Sequence, residues 1–525
     1  MDRKNVIRSA SLVGGFTMLS RVLGLIRDVF MAGAFGTTMS MSAFVVAFTV
    51  PNLFRRLFGE GALSSAFVPV FVKVREEEGD AAAWVLARKM ITLVLVTLSV
   101  FSILGILIAT GLMQMPGFGP KMDLILRLLR IMLPYMIFIC LVALCMGILN
   151  SFHHFSVPAA TPCLLNLVMI FSIVVLAPRF GMAPEDRIYG VAWGIVIAGF
   201  IQLAAQFPIL IRHGYVPGLS LDMKDRKVMK VLTLMVPAAL GAAVTQVNVI
   251  VDRLLALWIG PHAPAALFFS ERLIYLPLGI FATAMGTVLL PLIAGQVAKN
   301  EAENIQITIN QSMRSLLFMM TPAAVGLLIM APAIVGLIFE WKNFDADSTR
   351  YTASALRFYA PGLIVFSLAK IFVPVFYGHQ DTKTPMKIGI ITVCLNLVLN
   401  ITFVITWPYE LKHAGLAFAT VLSETFHAIV LGIIVHRRFG NPGWSDVLRA
   451  GLRFALGAGL MGLAIFFAYD PILSQAKAAC SLPKIPELLA VLLTIVLGVL
   501  VYGLSATVLR FPELREVMSA LRRRK

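Results

Sequence analysis

Long apolar stretches, separated by short polar segments, recur along almost the whole chain. One helix needs roughly 20 apolar residues to cross a bilayer. By that measure the pattern predicts an all-α polytopic membrane protein with about fourteen transmembrane helices. The predicted spans are 9–33, 42–71, 84–113, 124–149, 157–178, 187–211, 229–258, 265–295, 308–339, 351–376, 384–406, 412–435, 448–470 and 486–509.

Basic residues are divided unevenly between the two sets of loops. The loops AGAFGTTMSM and IGPHAPAA contain no Lys or Arg. An even number of spans puts both termini on the same side of the membrane, opposite these two loops. Lys and Arg concentrate in cytoplasmic loops, so the basic side, which includes both termini, is predicted to be cytoplasmic. The basic residues on that side are Lys73, Arg75, Arg88, Lys89, Arg212, Lys224, Arg226, Lys227, Lys230, Arg437, Arg438, Arg449, Arg453 and the tail LRRRK.

Composition agrees with a membrane protein. The 525 residues are 59% hydrophobic and 14% charged, whereas soluble domains carry about 25% charged residues. Most of the net charge of +17 is explained by the basic loops, so no nucleic-acid partner is expected. The five cysteines form no CxxC pair, no catalytic or phosphate-binding motif is present, and no loop is long enough for an external catalytic domain, so we expect neither an enzyme nor a cofactor.

Two parts of the chain are related. DVFMAGAFG, beginning at Asp28, aligns with DRLLALWIG, beginning at Asp252, and Pro69 in SSAFVPVFVKV aligns with Pro291 in TVLLPLIAGQV. Six predicted helices separate the copies, so the repeat is parallel, as in two-lobed transporters. The predicted organisation is an N-terminal lobe of helices 1–6 (residues 1–222), a second lobe of helices 7–12 (223–440), and two C-terminal helices (441–525) outside the repeat.

Several charged residues interrupt the predicted spans. A charge at the bilayer centre costs about 2.5–3.5 kcal/mol on insertion scales, so such residues face a cavity or a partner. Helices 1, 2 and 8 hold five arginines against three acids, and Arg56 and Glu60 are spaced to pair along a helix. Internal ion pairs are the alternative interpretation. The surplus of arginine favours a cavity for an anion, above all a phosphate. The proposed set is Arg21, Arg27, Asp28, Arg55, Arg56, Glu60, Glu271 and Arg272.

A second polar group lies on other helices. Asp252 is a carboxylate in helix 7, Asn396 and Asn400 share a face of helix 11, and Thr420 lies on helix 12. Oxygen ligands of this kind can hold a monovalent cation that couples transport to an ion gradient. Hydrogen bonding between helices is the alternative. The polar segment 377–389 is interpreted as a structural loop, with a gating role as the alternative.

Four segments together resemble the MurJ/MviN lipid II flippases of the multidrug/oligosaccharidyl-lipid/polysaccharide exporter superfamily. They are SRVLGLIRD (20–28), FVVAFTVPNLFRRLFGEGALSSAFVPVF (44–71), ERLIYLPLGIFATAMGTVLLPLI (271–293) and HQDTKTPMKIG (379–389). The resemblance implies movement of the lipid-linked peptidoglycan precursor from the inner to the outer leaflet of the bacterial cytoplasmic membrane. It also implies two lobes alternating around a cationic cavity, and a groove for the lipid tail at helices 13 and 14.

The resemblance also implies residue roles. The cavity arginines of the family correspond to Arg21, Arg27, Arg55 and Arg272, with Asp28 beside them, and Arg56, Glu60 and Glu271 match motif positions. Some positions depart from the pattern. Ser42 and Thr49 stand where some relatives have an aspartate and a lysine, and Asn400 stands where an ion-binding relative has an acid, which weakens a sodium site.

Other functions remain open from the sequence. The first is a flippase for another polyprenyl-pyrophosphate glycan, since the phosphate chemistry is the same. A cation-coupled drug exporter is disfavoured by the positive cavity. A non-transporting scaffold for cell-wall synthesis proteins is the alternative of another class. Lipid II and membrane lipids are the expected partners, with cell-wall synthesis proteins as candidates, and Na⁺, H⁺ or the membrane potential are the candidate driving forces.

Overall fold

The structure is a computed structural model that describes residues 3–57, 63–117, 119–480 and 482–515, with side chains except at 3–10, 64, 237, 238, 240–242, 244 and 245. Glu60, one of the predicted site residues, lies outside these residues. Within them the fold is entirely helical. In bilayer-spanning proteins helices satisfy every backbone polar group within one segment, which is why the apolar runs fold this way.

Nineteen α-helices lie in the described residues. In chain order they are α1 Arg3–Phe35, α2 Met39–Phe54, α3 Leu63–Glu78, α4 Asp80–Gln114, α5 Pro120–Met132, α6 Tyr135–Ser151, α7 Ser156–Phe171, α8 Pro184–Ala204, α9 Phe207–Arg212, α10 Arg226–Ile259, α11 Ala263–Pro277, α12 Thr283–Ala298, α13 Ala302–Phe339, α14 Ala346–Tyr359, α15 Gly362–Gly378, α16 Lys383–Thr406, α17 Lys412–Phe439, α18 Trp444–Ala479 and α19 Ile485–Val508.

The helices match the predicted spans. Each of the fourteen spans overlaps one helix or a run of consecutive helices. By length and apolar composition, nine helical segments of the described chain can cross a membrane, and eleven when two bent pairs are each counted as one span. The prediction of an all-α polytopic membrane protein is therefore confirmed.

The two bent pairs lie at corresponding places. Helices α5 and α6 meet at 40°, and α14 and α15 meet at 47°. Each second helix begins directly after a proline, Pro134 or Pro361, which lacks the N–H that would continue the helical hydrogen bonds. Both bends fall in the fourth predicted span of their half of the chain, which supports the parallel repeat.

A second pair of defects follows the same pattern. Residues 55–57, directly after α2, and Leu278–Ala282, directly after α11, form π-helical turns. Prolines, Pro51 and Pro277, lie inside the preceding helices. π-Bulges are local irregularities that are frequent at functional sites. The first turn contains Arg55 and Arg56, and the second begins six residues after Arg272.

Contacts divide the chain into two compact units, Met1–Leu257 and Trp258–Lys525. In the first unit, α3, α4 and α6 pack around an aromatic group in which the ring centroids of Trp84 and Phe152 are 5.2 Å apart. In the second unit, α18 and α19 pack on α13, where the Tyr502 hydroxyl donates to the Phe318 carbonyl at 2.9 Å. The lobe boundaries at 222/223 and 440/441 stay a prediction.

Candidate functional site

In the first unit, Arg27 of α1 is held by two polar side chains. Its Nη2 and Nε donate to Asp28 Oδ1 at 2.7 and 3.0 Å, and its Nη1 donates to Asn166 Oδ1 at 2.9 Å. The Arg27 side chain is 18% exposed and that of Asp28 is 4% exposed. The guanidinium is therefore fixed in orientation, and part of it still reaches the surface.

Asn166 links this arginine to the backbone of its own helix. From α7, its Nδ2 donates to the Ser20 carbonyl at 2.9 Å, two helical turns before Arg27 on α1. A Cβ atom at Gly24 would lie 3.7 Å from Asn166 Nδ2, which is ordinary van der Waals contact. Gly24 therefore packs against the Asn166 side chain. The predictions from sequence did not include Asn166. In the sequence Asn166 is visible as a single amide within the apolar run LLNLVMI, and in the structure its side chain is buried.

Arg21 is half-buried on the same helix as Arg27 and takes part in interactions of its own. It precedes Asp28 by seven residues, which is about two helical turns, so the predicted shared stripe of α1 is present. Arg21, Arg27 and Asp28 thus lie on one helix of one unit, as the sequence predicted.

Arg55 lies on the π-helical turn after α2. Its Nε donates to Asn52 Oδ1 at 2.8 Å. The side chain lines a cavity of about 440 Å³ inside the first unit, together with Tyr135, Asn150 and Gln202. Most of the other lining residues, among them Val68, Ile139 and Leu165, are apolar, so the cavity is mainly apolar and has a few polar groups in its wall.

Arg56, the next residue, is exposed rather than lining this cavity. The two adjacent arginines therefore have different surroundings. Glu60 lies outside the described residues, so its predicted ion pair with Arg56 stays a prediction.

The second unit holds the remaining pair of predicted cavity residues on α11. The guanidinium carbon of Arg272 lies 4.4 Å from the centroid of the Phe268 ring, a cation–π arrangement, and the side chain is exposed. Its neighbour Glu271 is half-buried and accepts a hydrogen bond from the Tyr359 hydroxyl at 3.4 Å. An arginine beside an acid on one helix recurs in both units, as Arg27 with Asp28 and as Arg272 with Glu271.

The candidate cation ligands are divided between the units. Asp252 lies in the first unit, where Asn248 Nδ2 is 3.4 Å from its Oδ2. In the second unit, Asn400 Nδ2 donates to Asn396 Oδ1 at 2.9 Å, and Asn396 Nδ2 donates to Ser423 Oγ at 3.2 Å.

Thr420 forms a hydrogen bond within α17, from its Oγ1 to the Leu416 carbonyl at 3.0 Å. Hydrogen bonds between α16 and α17, the alternative interpretation, therefore occur at this place. The described residues contain no group of three His, Cys, Asp or Glu side chains with metal-ligand geometry. The monovalent cation site stays a prediction.

The polar segment 377–389 is built around Asp381. Its carboxylate accepts from the backbone N–H of Thr384 at 2.9 Å, from the Thr384 hydroxyl at 2.6 Å and from Arg438 Nη1 at 2.7 Å. The pKa of Asp381 is lowered, first by the hydrogen bonds of Thr384 and then by the charge of Arg438. The segment thus joins the start of α16 to the end of α17.

Comparisons with known proteins agree on one family. The family profile described as Lipid II flippase MurJ matches residues 31–506. The chain is 33% identical over 452 residues to the lipid II flippase MurJ of Burkholderia cenocepacia, covering 84% of this chain and 86% of that protein. It is 31% identical over 524 residues to the probable lipid II flippase MurJ of Bdellovibrio bacteriovorus, covering 98% and 97%.

Solved structures share the fold. A lipid II flippase MurJ in an inward closed conformation superposes with a TM-score of 0.77 at 24% identity, covering 97% of this chain and 99% of that one. An inward-facing multidrug resistance MATE transporter of the MOP superfamily gives a TM-score of 0.66 at 14% identity, covering 84% and 99%. The family profile and the relatives show that the chain belongs to the MurJ family of lipid II flippases.

Proposed function

We propose that this protein moves lipid II from the inner to the outer leaflet of the bacterial cytoplasmic membrane, and that its arginines bind the pyrophosphate of the substrate in a cationic cavity. The observation that carries this proposal is the fixed guanidinium of Arg27, held by Asp28 and Asn166 in a membrane-length helix. Family membership supports the substrate, because the relatives carry the name lipid II flippase.

The chemistry of the headgroup fits these side chains. A pyrophosphate presents several anionic oxygens, and the planar guanidinium of arginine binds such oxygens in pairs. Arg27 is already oriented, so less conformational entropy is lost when it binds a phosphate. Arg21, Arg55, Arg56 and Arg272 supply further donors in the proposed cavity, and Glu60 and Glu271 set their positions.

The proposed cycle is alternating access. The pyrophosphate enters from the cytoplasmic side, its negative charge offsets the repulsion between arginines of the two lobes, and the lobes close around it. Outward opening then releases the headgroup, while the polyprenyl tail stays in the lipid, along the groove predicted at the two C-terminal helices. The fold supports such a cycle, since related MATE transporters are known in inward-facing and outward-facing conformations, with TM-scores of 0.66 and 0.54 to this chain at 14% identity.

Topology and driving force belong to the same proposal. Both termini lie in the cytoplasm, and the membrane potential or a gradient of Na⁺ or H⁺ drives the cycle. A charge that moves across 100 mV gains about 2.3 kcal/mol, so a carrier that returns with several uncompensated arginines responds strongly to the potential. In an ion-driven cycle, Asp252, Asn396, Asn400 and Thr420 are the candidate ligands.

The first test measures the lipid II accessible in the outer leaflet of living cells after the protein is depleted. Wild type and Arg350→Ala, a control at an exposed arginine paired with Asp347 at 3.2 Å, are expected to restore the outer pool. Arg27→Ala and Arg272→Ala at equal expression are expected not to restore it, while total lipid II rises.

Two results would count against the proposal. Full restoration of the outer lipid II pool by both Arg27→Ala and Arg272→Ala would contradict the proposed cationic cavity. A normal outer pool without the protein would mean that the lipid II assignment fails or that a second flippase masks the loss. Competition between lipid-linked substrates would then test another polyprenyl-pyrophosphate glycan, and a scaffold role predicts normal growth when the cavity arginines are neutralised.

A further inference from the structure

A pocket of about 510 Å³ opens on the first unit between the last turns of α4, the second half of α5 and the first turns of α8. Its polar lining consists of Arg127 and Arg130 from α5 and Tyr189 from α8. None of these residues belongs to the proposed substrate cavity or to the candidate cation site. We call this the α5–α8 pocket.

The two arginines of the α5–α8 pocket keep some of their hydrogen-bond donors available. Arg127 Nε donates to Asp123 Oδ2 at 2.7 Å, and its guanidinium also interacts with the Tyr189 side chain, so these two partners engage part of its five N–H groups. Arg130 Nη1 lies 3.7 Å from Met113 Sδ, and a thioether sulfur is a weak acceptor. Two guanidinium groups on neighbouring turns of one helix thus face the same cavity, and Asp123 supplies the carboxylate bonded to one of them.

The predicted spans place the pocket near the level of the lipid headgroups. Arg127 and Arg130 lie near the start of the predicted span 124–149, and Tyr189 and Trp193 lie near the start of the predicted span 187–211. Tyr and Trp concentrate where the hydrocarbon meets the headgroups. Trp193 lines the pocket and is 46% exposed, as expected for a side chain in contact with lipid.

An apolar strip leads from the pocket toward the middle of the membrane. Ile197 and Phe200 follow Trp193 on the same face of α8, and they are 41% and 58% exposed. On α4, Ile103 lies one turn before the lining residue Ile106, closer to the middle of the predicted span, and it is 57% exposed. A polar pocket that continues into an apolar strip matches an amphiphile rather than a free anion.

We propose that the α5–α8 pocket binds an anionic glycerophospholipid, with its phosphate between Arg127 and Arg130 and an acyl chain along the strip. The pocket also includes Pro134, the residue at the 40° bend between α5 and α6. A bound lipid therefore contacts the bent helix at its bend. With both termini cytoplasmic, this lipid lies in the outer leaflet.

The test compares lipids bound to the purified, delipidated protein by native mass spectrometry. Phosphatidylglycerol is added to wild type, to the double variant Arg127→Gln with Arg130→Gln, and to the control Arg179→Gln with Arg350→Gln, which makes the same charge change at two exposed arginines. The pocket variant is expected to retain one phosphatidylglycerol fewer, with about tenfold weaker binding at that site, whereas the control retains the wild-type number.

Three further measurements separate charge, headgroup and acyl chain. Arg127→Lys with Arg130→Lys keeps both charges and is expected to recover most of the binding, which shows that a loss in the glutamine variant comes from charge and not from misfolding. Phosphatidylcholine with the same acyl chains is expected to bind more weakly than phosphatidylglycerol, and excess inorganic phosphate is expected not to displace the lipid. Equal lipid retention by the glutamine variant and wild type, or displacement by inorganic phosphate, would overturn the proposal.

Discussion

At the scale of single residues, the site depends on how each arginine is held. The charged residues could be identified from the sequence, because placing Arg or Asp in an apolar span costs free energy and such residues are therefore rare there. Asn166 was not found, because an amide in an apolar helix is equally consistent with a hydrogen bond anywhere in the bundle. Its partner, Arg27, is 139 residues away in the chain, and only the packing of α1 against α7 brings the two together.

Replacing Asn166 by leucine is expected to reduce transport. The change removes the acceptor for Arg27 Nη1 and the donor to the Ser20 carbonyl, and a buried hydrogen bond to a charged group contributes about 1.5–3 kcal/mol. We expect the restored outer-leaflet pool of lipid II to fall by about tenfold or more, since 1.4 kcal/mol corresponds to a factor of ten. Asn304→Leu, at an exposed asparagine, is the control. Normal transport by Asn166→Leu would show that Arg27 needs no second support.

Replacing Arg27 by lysine separates charge from geometry. One ammonium group cannot span Asp28 and Asn166 with the three bonds that the guanidinium makes. We therefore expect Arg27→Lys to lose most of the activity in the outer-leaflet assay at equal expression. Activity close to that of wild type would mean that the positive charge alone is sufficient at this position.

At the scale of the elements, the apolar runs predicted the helices well and their irregularities poorly. Within the described residues every predicted span forms helix, because a bilayer leaves no other solution for a single apolar segment. The bends at Pro134 and Pro361 and the π-helical turns were not predicted, since counting apolar residues gives length and not direction. Charged residues in the connections between helices also form ion pairs. The sequence shows these charges but not which residues pair with each other.

One such connection joins α4 to the segment before α10. Lys89 Nζ donates to Asp222 Oδ2 at 2.8 Å and to Asp225 Oδ2 at 2.7 Å. The hydrogen bond from Lys89 is also the largest cause of the lowered pKa of Asp222. Lys89→Ala leaves two carboxylates near each other without their cation, so we expect limited proteolysis to cut residues 216–224 severalfold faster. Lys73→Ala, which breaks an exposed pair with Glu77 at 3.4 Å, is expected to leave the cleavage rate unchanged.

The loop between α6 and α7 is expected to make stability depend on pH. The pKa of His154 is lowered from 6.5 by burial and then by the charge of His213, whose ring centroid is 6.1 Å away. The folded state therefore binds fewer protons than the unfolded state below about pH 6.5, and the free energy of unfolding falls as pH decreases.

The measurement is thermal unfolding in detergent at several pH values. The midpoint is expected to decrease as pH falls below about 6.5, and His154→Gln is expected to show a smaller decrease. His436→Gln, which leaves the surroundings of His154 unchanged, serves as the control. An identical pH dependence in wild type and His154→Gln would show that this histidine does not carry the effect.

At the scale of the whole molecule, the fold and the family were predictable from sequence, whereas the orientation in the membrane is still a prediction. It rests on the charge of the loops, and the α5–α8 pocket places Arg127 and Arg130 at the end of the bundle that this charge distribution assigns to the outside. A direct test of orientation therefore decides both the topology and the leaflet of the proposed lipid.

Two exposed positions in the first unit provide that test. Met182 follows the fifth predicted span and is 88% exposed, and Leu219 follows the sixth and is 76% exposed. Each is replaced by cysteine in a chain whose five native cysteines have been removed. A membrane-impermeant thiol reagent is expected to label Met182→Cys in intact cells and Leu219→Cys only after permeabilisation, because the loop at 212–230 carries the basic residues. The opposite pattern would place the termini outside and move the α5–α8 pocket to the inner leaflet, where its arginines would follow the usual charge distribution.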